Sequence, residues 1–330
     1  MRKTALASIL FAGALLPLAV IVEAQQPKKN FRIGFLGGGS EVGAPGGENL
    51  LGLRQGLREL GYVEGQNITI ETRFSEGKID RLPALATELV RLKIDVIVTQ
   101  STPAGIAAKN ATSTIPIILT GGTDPVATGL VSSLARPGGN ITGVTIMNEE
   151  LAGKWLEVLK EINPRVSRIG VLWNSANAGV AVIFKHTQSA AQELRLSVQS
   201  LEVNTVDHLQ GAFDAAVRSG VSGLVLLPAA PMSTHLKLTA DLAVKNRLPS
   251  IYDRSQFVEA GGLVSYGTNV PNMARTAATY VDKVLKGANP GDLPIERPTK
   301  FELVINLKTA KQIGLTIPQI VLARADRVIK

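Results

Sequence analysis

Apolar residues recur along this chain in two alternating rhythms. Short runs such as Ile33, Phe35 and Leu36, or Val96, Ile97 and Val98, have the uninterrupted character of strands buried on both faces. Between them lie stretches of helical spacing. Residues 81–92 put Leu82, Leu85, Leu89 and Val90 on one face, and 46–60 keeps the same period until Gly61 stops it. In order, strands are predicted over 31–36, 67–74, 95–99 and 116–120, with helices over 46–60, 81–92 and 103–110. Strand, crossover helix, strand gives a parallel sheet with helices on both faces.

The pattern then restarts. A strand over 141–145 and a helix over 149–162 lead into strands at 168–173, 197–203, 223–227 and 250–252. Helices over 178–194, 206–219 and 234–246 separate them, with no repeat or low-complexity tract. The predicted fold is therefore α/β: two doubly wound, Rossmann-like parallel-sheet lobes joined near 140–147. Open parallel sheets collect ligands beyond the carboxyl ends of their strands, close to helix N-termini. Six post-strand loops, 37–40, 100–104, 121–125, 174–177, 228–231 and 253–255, are thus expected to wall a cleft between the lobes. They bring Gly39, Ser40 and Pro228 into the candidate site.

The N-terminus sets the compartment. Arg2 and Lys3 precede an apolar run from Ala5 to Val22, and Val22-Glu23-Ala24 puts small residues at the positions a signal peptidase reads. A cleaved signal peptide over 1–24 is expected, with the mature protein soluble in the periplasm. Gly13 and Pro17 interrupt the run and argue against a permanent anchor. The chain has no cysteine, so an exported domain of this size must fold on its core alone, without disulfides or a lipid-bearing thiol. A formal charge of +8 falls to +7 on cleavage, but the basic residues are dispersed as in Arg81, Arg91 and Lys93. No nucleic-acid partner is expected.

Enzymatic chemistry has no obvious carrier. Gly37-x-Gly39 is followed by Val42 where a dinucleotide loop needs glycine, and Gly77-Lys78 lacks the rest of a phosphate loop. His186, His208 and His235 have no ligand-spaced partner, so neither a metal nor a cofactor is expected. Three loops carry open alternatives. Ser101 or Thr102 can cap a helix beginning at Pro103, or hold an anion with the free N–H groups there. Asp124 can stabilise its own Asx turn or receive an ammonium group. Trp173-Asn174 and Tyr252 close two strands, where the rings either plug a sheet end or stack on a ligand.

Several blocks resemble one family: RQGLRELGYVEGQN from Arg54, DPVATGLVSSLARPGGNITG from Asp124, FVEAGGLVSYG from Phe257 and PTKFELVINLKTAKQIGL from Pro298. They are similar to the periplasmic substrate-binding components of ABC transporters, the tryptophan/tyrosine branch, with a type I periplasmic-binding-protein fold. The resemblance implies three interlobe crossings, with an N-terminal lobe of 30–145 and 268–290 and a C-terminal lobe of 146–267 and 291–330. It also implies that Ser101 and Thr102 form the carboxylate-binding loop and that Asp124, Asn174 and Tyr252 line the cleft. Where relatives often read G-T-P-A, this chain has Gln100-Ser101-Thr102-Pro103-Ala104. The implied function is capture of a small molecule, an amino acid or other carboxylate, by a monomer that docks on an inner-membrane ABC permease. A periplasmic sensor subunit, or a secreted enzyme on the same scaffold, are the competing readings.

Overall fold

A computed structural model describes residues 30–39 and 45–330. The expected signal peptide and Ser40 lie outside the described residues. The chain runs β1 (Phe31–Gly37), α1 (Pro45–Glu59), β2 (Ile68–Phe74), α2 (Leu82–Arg91), β3 (Val96–Thr99), α3 (Thr102–Ala111), β4 (Ile117–Thr120) and β5 (Ile141–Val144). These strands form an all-parallel sheet in the order β2-β1-β3-β4-β5. On one face, Leu50, Leu53 and Leu57 of α1 pack with Ile33, Phe35 and Val98. On the other, Leu82, Leu85 and Leu89 of α2 meet Leu36, Ile97 and Leu119. Burial on both faces explains why β1 and β3 read as continuous apolar runs.

The second unit follows as α4 (Asn148–Ile162), β6 (Arg168–Trp173), α5 (Ala178–Glu193), β7 (Ser197–Glu202), α6 (His208–Arg218), β8 (Gly223–Leu226), α7 (Leu236–Lys245), β9 (Ser250–Tyr252), α8 (Ser255–Glu259) and β10 (Val264–Gly267). The chain then returns to the first sheet as α9 (Val270–Leu285), which lies along α1. Gly52 and Gly56 permit this approach: a Cβ on either would come within 2.5 Å of the Pro271 carbonyl oxygen or 2.7 Å of that of Arg275. Finally β11 (Glu302–Asn306), α10 (Leu307–Gln312), α11 (Gln319–Leu322) and β12 (Arg327–Ile329) complete a seven-stranded sheet, β12-β11-β10-β9-β8-β6-β7. Only the β10–β11 pairing is antiparallel.

Three chain segments therefore pass between the sheets. At the first, Met147 takes a left-handed backbone (φ 53°) immediately before α4. At the third, the Thr145 N–H donates to the Glu296 carbonyl (3.0 Å) and the Glu296 N–H to that of Gly143 (3.0 Å). Leu293 and Ile295 pack with the core of the first sheet, so the chain stays with that sheet several residues beyond 290.

Candidate functional site

The carboxyl ends of the strands of both sheets face a shared cavity of about 100 Å³. All six loops expected from the sequence contribute to its wall. From the first sheet come Gly38 and Gly39 after β1, Gln100 to Pro103 after β3, and Gly122 and Thr123 after β4. From the second come Asn177 after β6, Pro228 to Ala230 after β8, and Arg254 after β9. Asn148 at the start of α4 and Val270 at the start of α9 close it from the crossings. The two units touch around it. Gln256 Nε2 donates to Glu48 Oε2 at 2.7 Å, and a Cβ on Gly179 would stand 2.5 Å from Thr102 Oγ1.

Local structure fixes each wall. Ser101 is the N-cap of α3, its Oγ accepting from the Ala104 N–H at 3.4 Å, with Pro103 in the first turn. Asn177 caps α5 by accepting from the Gly179 and Val180 N–H groups. Thr102 is spoken for: its Oγ1 accepts from the Thr123 N–H (3.0 Å) and lies 3.5 Å from the Thr123 carbonyl oxygen as donor. Of the two hydroxyls expected to serve a ligand, Thr102 instead ties α3 to the loop after β4. What it brings to the cavity is the backbone N–H at the open end of a helix.

Four expected wall residues do not line the cavity. Asp124 Oδ1 accepts from the Val126 (3.1 Å) and Ala127 (2.9 Å) N–H groups, the turn-stabilising alternative. Trp173 stacks on Phe184, centroids 4.2 Å apart and 3° from parallel, and its Nε1–H donates to Ser200 Oγ. Tyr252 is fully buried on Phe257 (4.6 Å between centroids), its hydroxyl accepting from Ser250 Oγ. Burial pushes that phenol well above its ordinary pKa. Both aromatics plug sheet ends, as sheet packing alone requires. Asn174 is buried behind the wall, donating to the Ala230 carbonyl (2.8 Å) and accepting from the Ala176 N–H (2.9 Å), and so holds Ala230 in place.

Arg254 and Asn148 were not singled out from the sequence, although Arg254 lies in an expected cleft loop. Arg254 is 8% exposed, and its Nε and Nη2 both donate to Asp253 Oδ2, at 3.0 and 2.7 Å. Among the described residues, Nη1 donates to no protein atom. Among the described residues the amide of Asn148, 1% exposed, has no hydrogen-bond partner, and its Oδ1 is buried. A buried, unsatisfied amide facing a cavity is the mark of a group awaiting a ligand or water. The charged pair Asp253-Arg254 just after β9 is the available signal for Arg254; nothing in the local sequence flags Asn148, which only the crossing brings to the cavity.

Residues 47–329 match the family model described as ABC transporter substrate binding protein. A tyrosine-binding protein of Clostridioides difficile (strain R20291) is 29% identical over 265 residues, covering 80% of this chain and 76% of the relative. Among solved structures, the ABC domain from Streptococcus pneumoniae in complex with L-Trp gives a TM-score of 0.84 at 28% identity, covering 91% of this chain and all of that one. The ligand-free, open structure of a substrate-binding protein from Clostridium difficile covers 91% of this chain and 99% of its own, with a TM-score of 0.65 at 25% identity. A leucine-binding protein from Thermotoga maritima shares the fold at 12% identity and a TM-score of 0.60, over 86% of this chain and 87% of that one.

Proposed function

This chain belongs to the ABC transporter substrate-binding protein family, and we propose that it captures a small molecule between its two lobes and presents it to an ABC permease. The observation that carries this reading is the cavity itself, walled by strand-end loops of both sheets and bridged by Gln256 to Glu48. At nearly equal identity, the chain is closer in shape to a ligand-bound relative than to an open, ligand-free one, which supports a closed arrangement of the lobes. A ligand touching both lobes favours that arrangement because only differential affinity can shift such an equilibrium.

The relatives bind L-Trp and tyrosine, and the carry-over to this chain is the use of the cleft for an amino acid or related small carboxylate. Gly39, Ser101, the backbone of Thr102 and Pro228 contact the ligand together with Asn148 and Arg254; Ser40 remains a candidate from the sequence. The N-terminal lobe comprises 30–145 with 268–296, and the C-terminal lobe 146–267 with 297–330. Leu293 and Ile295 pack with the core of the first sheet, which supports a last crossing after Glu296. The protein acts in the periplasm after cleavage behind Ala24, as a monomer, and binds without turnover.

Protein purified from exporting cells and then denatured should release one dominant small molecule, identified by mass spectrometry, at close to one per chain. Prolonged incubation with that compound should return it chemically unchanged. Release of nothing, with no candidate raising the melting temperature, would defeat the capture reading; conversion of the compound would replace it with an enzymatic one.

A further inference from the structure

If the cleft captures a solute as proposed above, the chemistry of its wall restricts what that solute is. Among the described residues lining the cavity there is no aspartate, no glutamate and no aromatic ring. The single charged group there is Arg254. Its guanidinium is held from one side by Asp253, which is not part of the wall, leaving Nη1 with no acceptor among the described residues. Glu48 also lies near Arg254 without lining the cavity, and its carboxyl is engaged by Gln256.

Around this cation converge the N-terminal ends of four long helices, α3 at Ser101–Pro103, α4 at Asn148, α5 at Asn177 and Val180, and α9 at Val270. Each presents the positive end of its peptide dipoles. The Ser101 hydroxyl accepts from the Ala104 N–H and donates to none of the described residues. Asn148 adds a donor and an acceptor, neither of them used by the described residues.

Such a wall satisfies negative charge and repels positive charge. The ammonium of a zwitterionic amino acid, once stripped of water, needs a carboxylate or several converging acceptors. The described wall sets a guanidinium and helix N-termini beside uncharged side chains such as Asn49, Thr123, Asn148, Asn177 and Ser233, and holds no carboxylate. Size points the same way. About 100 Å³ is less than the roughly 150 Å³ of an apolar cavity that takes up benzene, which favours a small solute.

We propose that the ligand of this cleft is a small carboxylate without an ammonium group, such as a 2-oxo acid, a 2-hydroxy acid or a short dicarboxylate. Its carboxylate is met by the Ser101 end of α3 from one lobe and by Arg254 from the other. Asn148 reads the neighbouring oxygen: the amide N–H groups donate to a carbonyl or carboxylate, and Oδ1 accepts from a hydroxyl. This differs from the ligands of the tyrosine- and tryptophan-binding relatives by the loss of one positive charge and of the ring.

The test compares matched pairs on the mature chain by calorimetry: pyruvate and lactate against L-alanine, malate against L-aspartate, and 4-hydroxyphenylpyruvate against L-tyrosine. In each pair that gives binding, the acid lacking nitrogen should bind at least about tenfold more tightly, with the small acids ahead of the aromatic one. Asn148→Ala, and the double variant Asp253→Asn with Arg254→Gln that leaves no lone buried charge, should each weaken the best acid about tenfold or more. The far-ultraviolet spectrum and melting curve of each variant establish that it is folded. Tighter binding of the amino acids, or full acid affinity in both folded variants, overturns the proposal while leaving solute capture intact. Mass-spectrometric identification of a co-purified cationic or neutral ligand does the same. If the purified protein carries no small molecule and no pair binds, both this proposal and the capture reading fall.

Discussion

Glu149 stands in the first turn of α4, just past the crossing, with both carboxylate oxygens buried and without a hydrogen-bond partner. Loss of water is the main cause of a pKa raised to about 7, and the charges of Asp124 and Glu150 add to it. Its own backbone N–H and, more weakly, Arg297 oppose the rise. The folded state thus holds this proton more tightly than the unfolded chain does. The carboxyl carries no penalty below about pH 4.5, loses stability progressively as the pH rises towards 7, and costs on the order of 3 kcal/mol above that. Glu149→Gln should therefore match the wild type in melting temperature at pH 4.5 and exceed it by several degrees at pH 8. Equal melting temperatures at both pH values would mean that the carboxyl is hydrated in solution. Glu149 and Glu150 both stand in the first turn of α4, where the helix dipole favours a carboxylate. Only Glu150 has an outlet, pairing with Arg297 at 3.2 Å while more than half exposed.

Helix ends, more than individual hydroxyls, build the cavity wall, and the tightest point between the lobes is where α3 meets α5. Gly179 faces Thr102 and Thr123 there, and a Cβ would reach 2.5 Å from Thr102 Oγ1 and 3.3 Å from the Thr123 Cβ. Gly179→Val should act as a wedge that is harmless when the lobes part. The unfolding free energy without ligand should stay within about 0.5 kcal/mol of wild type, as for a surface change. Ligand affinity should fall about tenfold or more, because closure now carries a steric cost that binding must supply. Unchanged affinity would show that α3 and α5 do not meet in the bound state. At this scale the sequence was most informative. Every strand and helix read from periodicity as far as Tyr252 is present, and the strand-end rule located all six wall loops. Choosing residues within those loops failed where shape decided the matter. Trp173 and Tyr252 look like ligand platforms until Phe184 and Phe257 are seen stacked against them. Asn148 and Val270 follow β5 and β10 within a few residues but reach the wall at the crossings between the lobes, which local periodicity does not encode.

Across the whole molecule, two separately packed cores are joined by three adjacent crossings. Around those crossings, backbone bonds from Thr145 to Glu296 and from Glu296 to Gly143 tie two of the strands together. A joint of this kind permits rotation of one lobe against the other while resisting sliding, since the paired strands keep register and Met147 supplies a bend at the start of α4. The contacts that hold the lobes together on the cavity side are few, chiefly Gln256 with Glu48 and the close approach of Gly179 to Thr102. An exposed-to-half-buried polar contact of this kind contributes on the order of 1 kcal/mol, too little to keep the cleft shut without a ligand. Small-angle scattering of the ligand-free protein should therefore give a larger radius of gyration than the closed arrangement, shrinking when the preferred carboxylate is added. Gln256→Ala should shift the free protein further towards open and lower affinity a few-fold, without altering which acid is preferred. A radius of gyration that is already compact without ligand and does not change on binding would assign the cavity to a rigid pocket, with no closing motion for a membrane partner to read.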